Sequence, residues 1–477
     1  MAELITEYIL PVRIFEKSEN VYGEDALLKA KYKQIGLSET ELCHVKGKGH
    51  LVLDFGKEYH GGARILTFKV AGGNGANVRL RFGESVTETR AELGERGACN
   101  DHSLRDIVTQ LVSYSDMTFA QTGFRFLRID FLDDADVYLK NVYCAFTHRE
   151  FPAAKPFDSG DERINEIFAT AKRTIDMCCQ QYIWDGIKRD RLVWIGDMHP
   201  ETLALTAIYG RCKIIEDSLD FATSQTPLGK WMNGMPMYSV WWLIIMADYC
   251  KLAGAEDYVL KYKDYISGLL TQIDGCVKDD GELDFPAYFV DWPTHEQPDE
   301  LAGCRAILIY MANKMPELCR VTGISDGVAL SLKNKLLKRP ITVTHAKQVA
   351  ALKYFALGEL PEEDVALILK GGAAGVSTFM SYYILKAVAE NASAEQAIEI
   401  MREYYGAMLD KGATTFFEDF DMEWVENSCR LDEYPKPGQR DIHGDFGKYC
   451  YKGFRHSFCH GWSAGVIRFL YEYANKL

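Results

Sequence analysis

The chain lacks an excess of basic charge: 54 Lys and Arg stand against 68 Asp and Glu, giving −14 over 477 residues. Nucleic acid and anionic membrane surfaces both require a basic face, and no dense Lys/Arg run is present, so neither is expected as a partner. Long hydrophobic runs are missing as well. The strongest, Val240 to Ala247, stops at Asp248, far short of the ~20 residues of a membrane span. The first residues, Met1 to Glu7, are acidic and carry neither the basic start nor the apolar core of a secretory signal, so a cytoplasmic protein is expected. Cys-x-x-Cys spacing is absent: the thirteen cysteines are odd in number and scattered, with only Cys178 and Cys179 adjacent. They read as reduced, buried thiols, and neither a metal nor a cofactor is expected. No repeat of about 30 to 45 residues is visible, which weakens a solenoid reading.

What is present is a globular composition, 47% hydrophobic and 26% charged, and a length that suggests two to three domains at ~150 residues each. The pattern changes near residue 150. Before it, short alternating runs lie between glycines: Leu51 to Phe55, Ala63 to Val70, Asn77 to Phe82, Phe124 to Phe131 and Val137 to Phe146. In the third, Val78, Leu80 and Phe82 face one way and Arg79 and Arg81 the other, the period of a strand with one wet face. An antiparallel β-sandwich over 1–150 is expected. After Asp158 the period is helical, and Asp158 or Ser159 caps a helix with Ile164, Ile167, Phe168, Ala171 and Ile175 on one stripe. Similar patterns follow at about 201–220, 238–252, 256–274, 299–320, 325–337, 345–356, 361–370, 375–391, 395–409 and 461–475. About a dozen helices over 151–477 favour six helical hairpins closed into an (α/α)6 toroid.

Two segments concentrate chemistry. Trp184 to Glu201 interleaves Asp185, Asp190 and Asp197 with Lys188, Arg189, Arg191 and Trp194. Spacings of five and seven do not share a helix face, so a loop is expected. Carboxylates near Arg titrate low and those in a dry aromatic pocket titrate high, the split that acid–base catalysis uses. The competing reading is a salt-bridged connector between hairpins. Near the C-terminus, Gly412 to Trp424 sets Glu418 among aromatics, and His460 stands beside Trp462. Trp231, Trp241, Trp242, and Asp291 with Trp292 in a Pro-containing loop, add aromatic surface. Aromatics and acids converging on loops point to a carbohydrate site, although each Trp alone is more often core.

Asp185-Gly-Ile-Lys-Arg-Asp-Arg-Leu-Val-Trp-Ile-Gly-Asp197 resembles the signature of the α-L-rhamnosidases of glycoside hydrolase family 78. Val78-Arg-Leu-Arg-Phe-Gly-Glu84 and Phe124-Arg-Phe-Leu-Arg128 are similar to the β-sandwich ahead of that family's barrel. Gly412-Ala-Thr-Thr-Phe-Phe-Glu418 and Ser457-Phe-Cys-His-Gly-Trp462 resemble its later motifs, so the resemblance runs over about 45–475. It implies an inverting hydrolase of terminal α-L-rhamnosides, with Asp190 at the general-acid position and Glu418 at that of the base. It further implies that Asp185 and Asp197 hold sugar hydroxyls, with Arg189 and Trp194 beside them. Trp241 or Trp242, Asp291 with Trp292, and His460 are looser matches to sugar-binding positions. Two departures stand out: the family's acid is usually Glu, and its Cys-Pro is Gly186-Ile187 here. The additional β domains of larger members are absent from the chain, so the aglycone side is open or completed by another subunit in a homo-oligomer. Rival readings are another six-hairpin glycosidase, a polysaccharide lyase, and a carbohydrate-binding protein that has lost catalysis.

Overall fold

A computed structural model describes residues 4–30, 32–72 and 74–477. Nine strands, β1 (Leu4–Ile9), β2 (Arg13–Lys17), β3 (Val21–Tyr22), β4 (Cys43–Lys46), β5 (Gly49–Ala71), β6 (Ala76–Gly83), β7 (Asp106–Leu111), β8 (Ser115–Phe131) and β9 (Asp136–Arg149), form one antiparallel hydrogen-bonded system. Its order is β3-β4-β9-β5-β8-β6-β7, with β1 on β9 and β2 on β5. The two runs expected at 51–55 and 63–70 are one 23-residue strand, bent at register shifts between Asp54 and Tyr59 and between Gly61 and Ala63. Such irregularities let a long strand turn while its ladder continues. Val78, Leu80 and Phe82 of β6 are buried, and Arg79 and Arg81 on the other face pair with Asp106 and Asp130.

Thirteen α-helices follow among the described residues. Six of them, Met198–Tyr209, Pro236–Ala253, Glu300–Thr322, Lys347–Leu357, Ser381–Asn391 and Val466–Tyr473, pack each on the next, and the last returns to the first. From Pro236 to Cys250 every residue but Ala247 is buried, as a helix enclosed on all sides requires. Helices such as Glu162–Cys178 and Ala394–Asp410 keep a polar face toward solvent.

Three local expectations are corrected. The cap of the first helix is Asp161, whose carboxylate accepts from the N–H groups of Arg163 and Ile164, rather than Asp158 or Ser159. The pattern at 201–220 is two helices broken at Gly210, where φ is 72°, a left-handed turn that glycine adopts without strain. The pattern at 256–274 divides likewise into Glu256–Leu260 and Lys263–Asp274. No helix among the described residues is long and apolar enough to cross a membrane.

Candidate active site

The helix ring places its functional side chains at one end. Asp197 immediately precedes Met198–Tyr209, Met235 and Tyr238 open Pro236–Ala253, Phe289 and Trp292 lie ahead of Glu300–Thr322, and His460 and Trp462 lead into Val466–Tyr473. These residues line a cavity of about 240 Å³.

The loop from Asp185 to Asp197 is held by its own backbone and by the C-terminal segment. Asp185 accepts from the Leu192 N–H at 2.9 Å, its carbonyl accepts from Gly461 at 2.6 Å, and Gly186 bridges His460. Asp190 and Arg191 sit consecutively at φ 53° and 56°, a strained region for non-glycine residues that costs of order 1 kcal/mol each or more. The turn brings Asp190 within 3.3 Å of Arg189 and 3.2 Å of His102, which comes from the sheet domain. Gly196 is required by packing: a Cβ there would lie 2.3 Å from the ring of Tyr238, whose hydroxyl donates to Asp197 at 3.4 Å.

Glu418 faces this loop. One carboxylate oxygen accepts from Arg189 Nη2 and the other from the Ser457 N–H at 3.3 Å, while its carbonyl accepts from the Trp462 indole at 2.8 Å. Burial raises the proton affinity of Glu418, but Arg189, His460 and His456 together outweigh it and hold the carboxylate below its usual range. Asp185 and Asp197 are pushed the other way. Burial dominates for both, and His460 offsets it only in part, although it bonds Asp197 at 3.0 Å. Burial also opposes charge on His460 itself, yet Glu418 and Asp197 keep the imidazole above its ordinary value. The site therefore sets one carboxylate of lowered proton affinity, Glu418, beside two of raised affinity, Asp185 and Asp197.

Beneath the loop, Lys188 joins the two halves of the molecule. Its ammonium reaches Glu88 at 2.9 Å and Glu84 at 3.3 Å, both on the sheet side, and donates to the carbonyls of Phe454 and His456 at 2.6 and 2.8 Å. Glu84, Glu88 and His443 bring potential metal-ligand atoms within 4.8 Å of one another, and the Lys188 ammonium supplies the positive charge at that place.

Of the residues singled out in the sequence, Asp185, Arg189, Asp190, Trp194, Asp197, Trp292, Glu418 and His460 all line the cavity. The Trp194 indole N–H is buried and has no hydrogen-bond partner among the described residues. Trp241 and Trp242 do not reach the cavity. Both are fully buried, Trp241 against His199 and Tyr383, Trp242 against Tyr262 and Tyr265. They are core because the helix that carries them is enclosed by its neighbours. Trp241→Ala is expected to cost about 3–5 kcal/mol of stability, read by denaturant unfolding; a change in substrate KM with stability intact would return this residue to the site. Asp291 is also off the cavity. It accepts from Ser377 at 2.7 Å and from the Thr294 hydroxyl and N–H, capping the turn that carries Trp292, and burial pushes it up to about 6. Sequence reasoning missed Met235, Tyr238, Phe289, Cys450 and Trp462 as lining residues. Pro236 at a helix start was the available signal for Met235 and Tyr238, because such a start points at the ring's mouth.

No model of a known protein family matches the sequence, and no curated protein does. Solved structures do match. A rhamnosidase from Klebsiella oxytoca with rhamnose bound superposes with a TM-score of 0.75 at 17% identity, over 99% of this chain and 96% of that one. The fold is that of the α-L-rhamnosidases. The family 78 rhamnosidase of Bacillus sp. GL1 gives 0.71 at 17% identity over 94% of this chain, and the Streptomyces avermitilis α-L-rhamnosidase complexed with L-rhamnose gives 0.67 at 15% over 98%. The chain spans 48% and 44% of those two proteins, so it matches about half of each of these larger rhamnosidases and nearly all of the Klebsiella one.

Proposed function

We propose that the protein is an inverting glycoside hydrolase that removes terminal α-L-rhamnose from glycosides or oligosaccharides. The observation that carries this reading is one cavity lined by Glu418, held below its usual range beside Arg189, and by Asp185, Asp190 and Asp197, with burial raising Asp185 and Asp197. Glu418 takes a proton from water as its oxygen attacks the anomeric carbon, and Asp190 protonates the departing glycosidic oxygen. Arg189 contacts both carboxylates, which limits their separation to about 8 Å. That limit overlaps the lower part of the ~6.5–9.5 Å range that leaves room for a water in an inverting pair. Asp185, Asp197 and His460 line the cavity where sugar hydroxyls would lie, with Trp292 for the ring face. In the same reading residues 1–150 form a β-sandwich domain and 151–477 an (α/α)6 barrel, whose inner wall is the closed ring of six helices. Thirteen free thiols, most of them buried, suit a cytoplasmic protein.

The test is hydrolysis of an aryl α-L-rhamnoside followed by proton NMR. β-L-rhamnose is expected as the first-formed sugar, and initial α-anomer contradicts inversion. Asp190→Asn is expected to abolish turnover of that substrate. Asp185 is the second reading for the acid, because burial raises its proton affinity well above the ordinary value. Turnover surviving in Asp190→Asn but lost in Asp185→Asn would transfer the role.

A further inference from the structure

A second cavity, of about 520 Å³, lies at the same end of the ring. Gln348 at the start of Lys347–Leu357 and Val376 ahead of Ser381–Asn391 contribute to it, so it continues around the mouth from the first cavity. The wall between them is thin. Glu418, Trp292 and Cys450 face the first cavity, while their chain neighbours Asp419, Pro293, Tyr449 and Tyr451 face the second. The crest of this wall is an aromatic pair. Tyr449, 46% exposed and at φ 54°, stacks on Trp292 with ring centroids 5.3 Å apart and planes 26° from parallel.

We propose that this crest and the second cavity hold the neutral sugar residues to which the terminal rhamnose is attached, so that the substrate is an oligosaccharide rather than a rhamnosylated aromatic aglycone. The inference rests on the rhamnosidase reading of the first cavity. An exposed, stacked aromatic platform receives the apolar C–H face of a sugar ring, and polar groups beside it meet the hydroxyls. The second cavity offers such groups: the Gln348 amide, the Arg440 guanidinium lying 3.7 Å from the Phe446 ring centroid, and carboxylates at Asp419, Asp421 and Glu423. A lining of four carboxylates, two cations and the Gln348 amide meets the hydroxyls of sugar rings better than a flat aromatic aglycone. Acids also outnumber the two cations, Arg440 and Lys448, which disfavours uronates and sulfated sugars. Burial pushes Asp419, on the dividing wall, up to about 7, so near neutrality it offers an O–H donor in part of the population.

The experiment compares kcat/KM for an aryl α-L-rhamnoside and for a rhamnose-terminated trisaccharide of neutral sugars, in the wild type and in Arg440→Ala and Glu423→Ala. The wild type is expected to prefer the trisaccharide, and each variant to lose about tenfold on it through KM, with the aryl rhamnoside unchanged. The aryl activity serves as the folding control. Equal kcat/KM for the two substrates in the wild type, or variants that lose equally on both, overturn the second site and leave the rhamnosidase reading standing. Turnover of neither substrate removes that reading. Calorimetry with the derhamnosylated disaccharide then tests the second cavity by itself: binding weakened in Arg440→Ala supports the site, and no binding by the wild type overturns it.

Discussion

Glu418→Gln is expected to lower kcat on an aryl α-L-rhamnoside by about 10³-fold, the range associated with removing a positioned general base. The carboxylate does more than accept a proton, and the variant must be read with that in view. Arg189 is 5% and Glu418 3% exposed, so the pair is buried, and the remaining guanidinium keeps only the less buried Asp190 as counter-charge. Losing one partner of a buried pair costs on the order of 3 kcal/mol. Stability and activity therefore fall together in the single variant, and a second experiment separates them. Glu418→Gln with Arg189→Met removes both charges and is expected to recover most of the stability without any turnover. A small anion such as azide needs no base to attack the anomeric carbon, so Glu418→Ala supplied with azide is expected to form the inverted glycosyl azide. Failure of azide to restore turnover in a folded Glu418→Ala protein would falsify the base assignment.

The second large effect lies outside the cavity. Lys188→Met is expected to destabilise the protein by about 3–5 kcal/mol at neutral pH, because it removes the ion pair of buried Glu84 and leaves buried Glu88 with Arg105 alone. The loss has a pH dependence whose sign follows from the acids involved. Glu84 and Glu58 are already raised above their ordinary value by burial, and Lys188 is what lowers them. Without it both rise further. An acid raised in the folded state contributes its full stability below its unfolded pKa, near 4.5, and loses it as pH climbs toward the folded value. The difference between Lys188→Met and wild type is thus expected to be smallest near pH 5 and to widen toward pH 8 in thermal melts. A difference that stays flat over that range would mean that the carboxylates do not govern the loss. Adding Glu84→Gln to Lys188→Met is expected to narrow the gap at pH 8.

The part of this molecule that is legible in the sequence is the part governed by local periodicity and local motif. β6 alternates because one of its faces carries paired arginines, and Glu162–Cys178 shows its stripe because one side is wet. Asp185, Arg189, Asp190, Trp194 and Asp197 stand in one short loop, so their meeting at a cavity could be expected from spacing and residue type alone. Trp241 and Trp242 show where that reasoning ends. An enclosed helix has no wet face to declare which side meets what, and an indole in it looks the same whether it lines a site or fills the core. Lys188, Glu84, Glu88 and His443 were illegible for another reason. They come from three places in the chain and acquire meaning only where the sheet is laid against the helices.

The contact between His460 and Asp197 spans 263 residues, and the ring closes only when Val466–Tyr473 docks on Met198–Tyr209. At the pace of ribosomal synthesis, roughly 5–20 residues per second, the loop bearing Asp197 waits on the order of tens of seconds for its counterpart. During that interval the inner helices, Pro236–Ala253 with its two tryptophans foremost, have no closed ring to enter. Closure of the ring therefore waits on synthesis of Val466–Tyr473, and the interval before it is a period of exposure to aggregation.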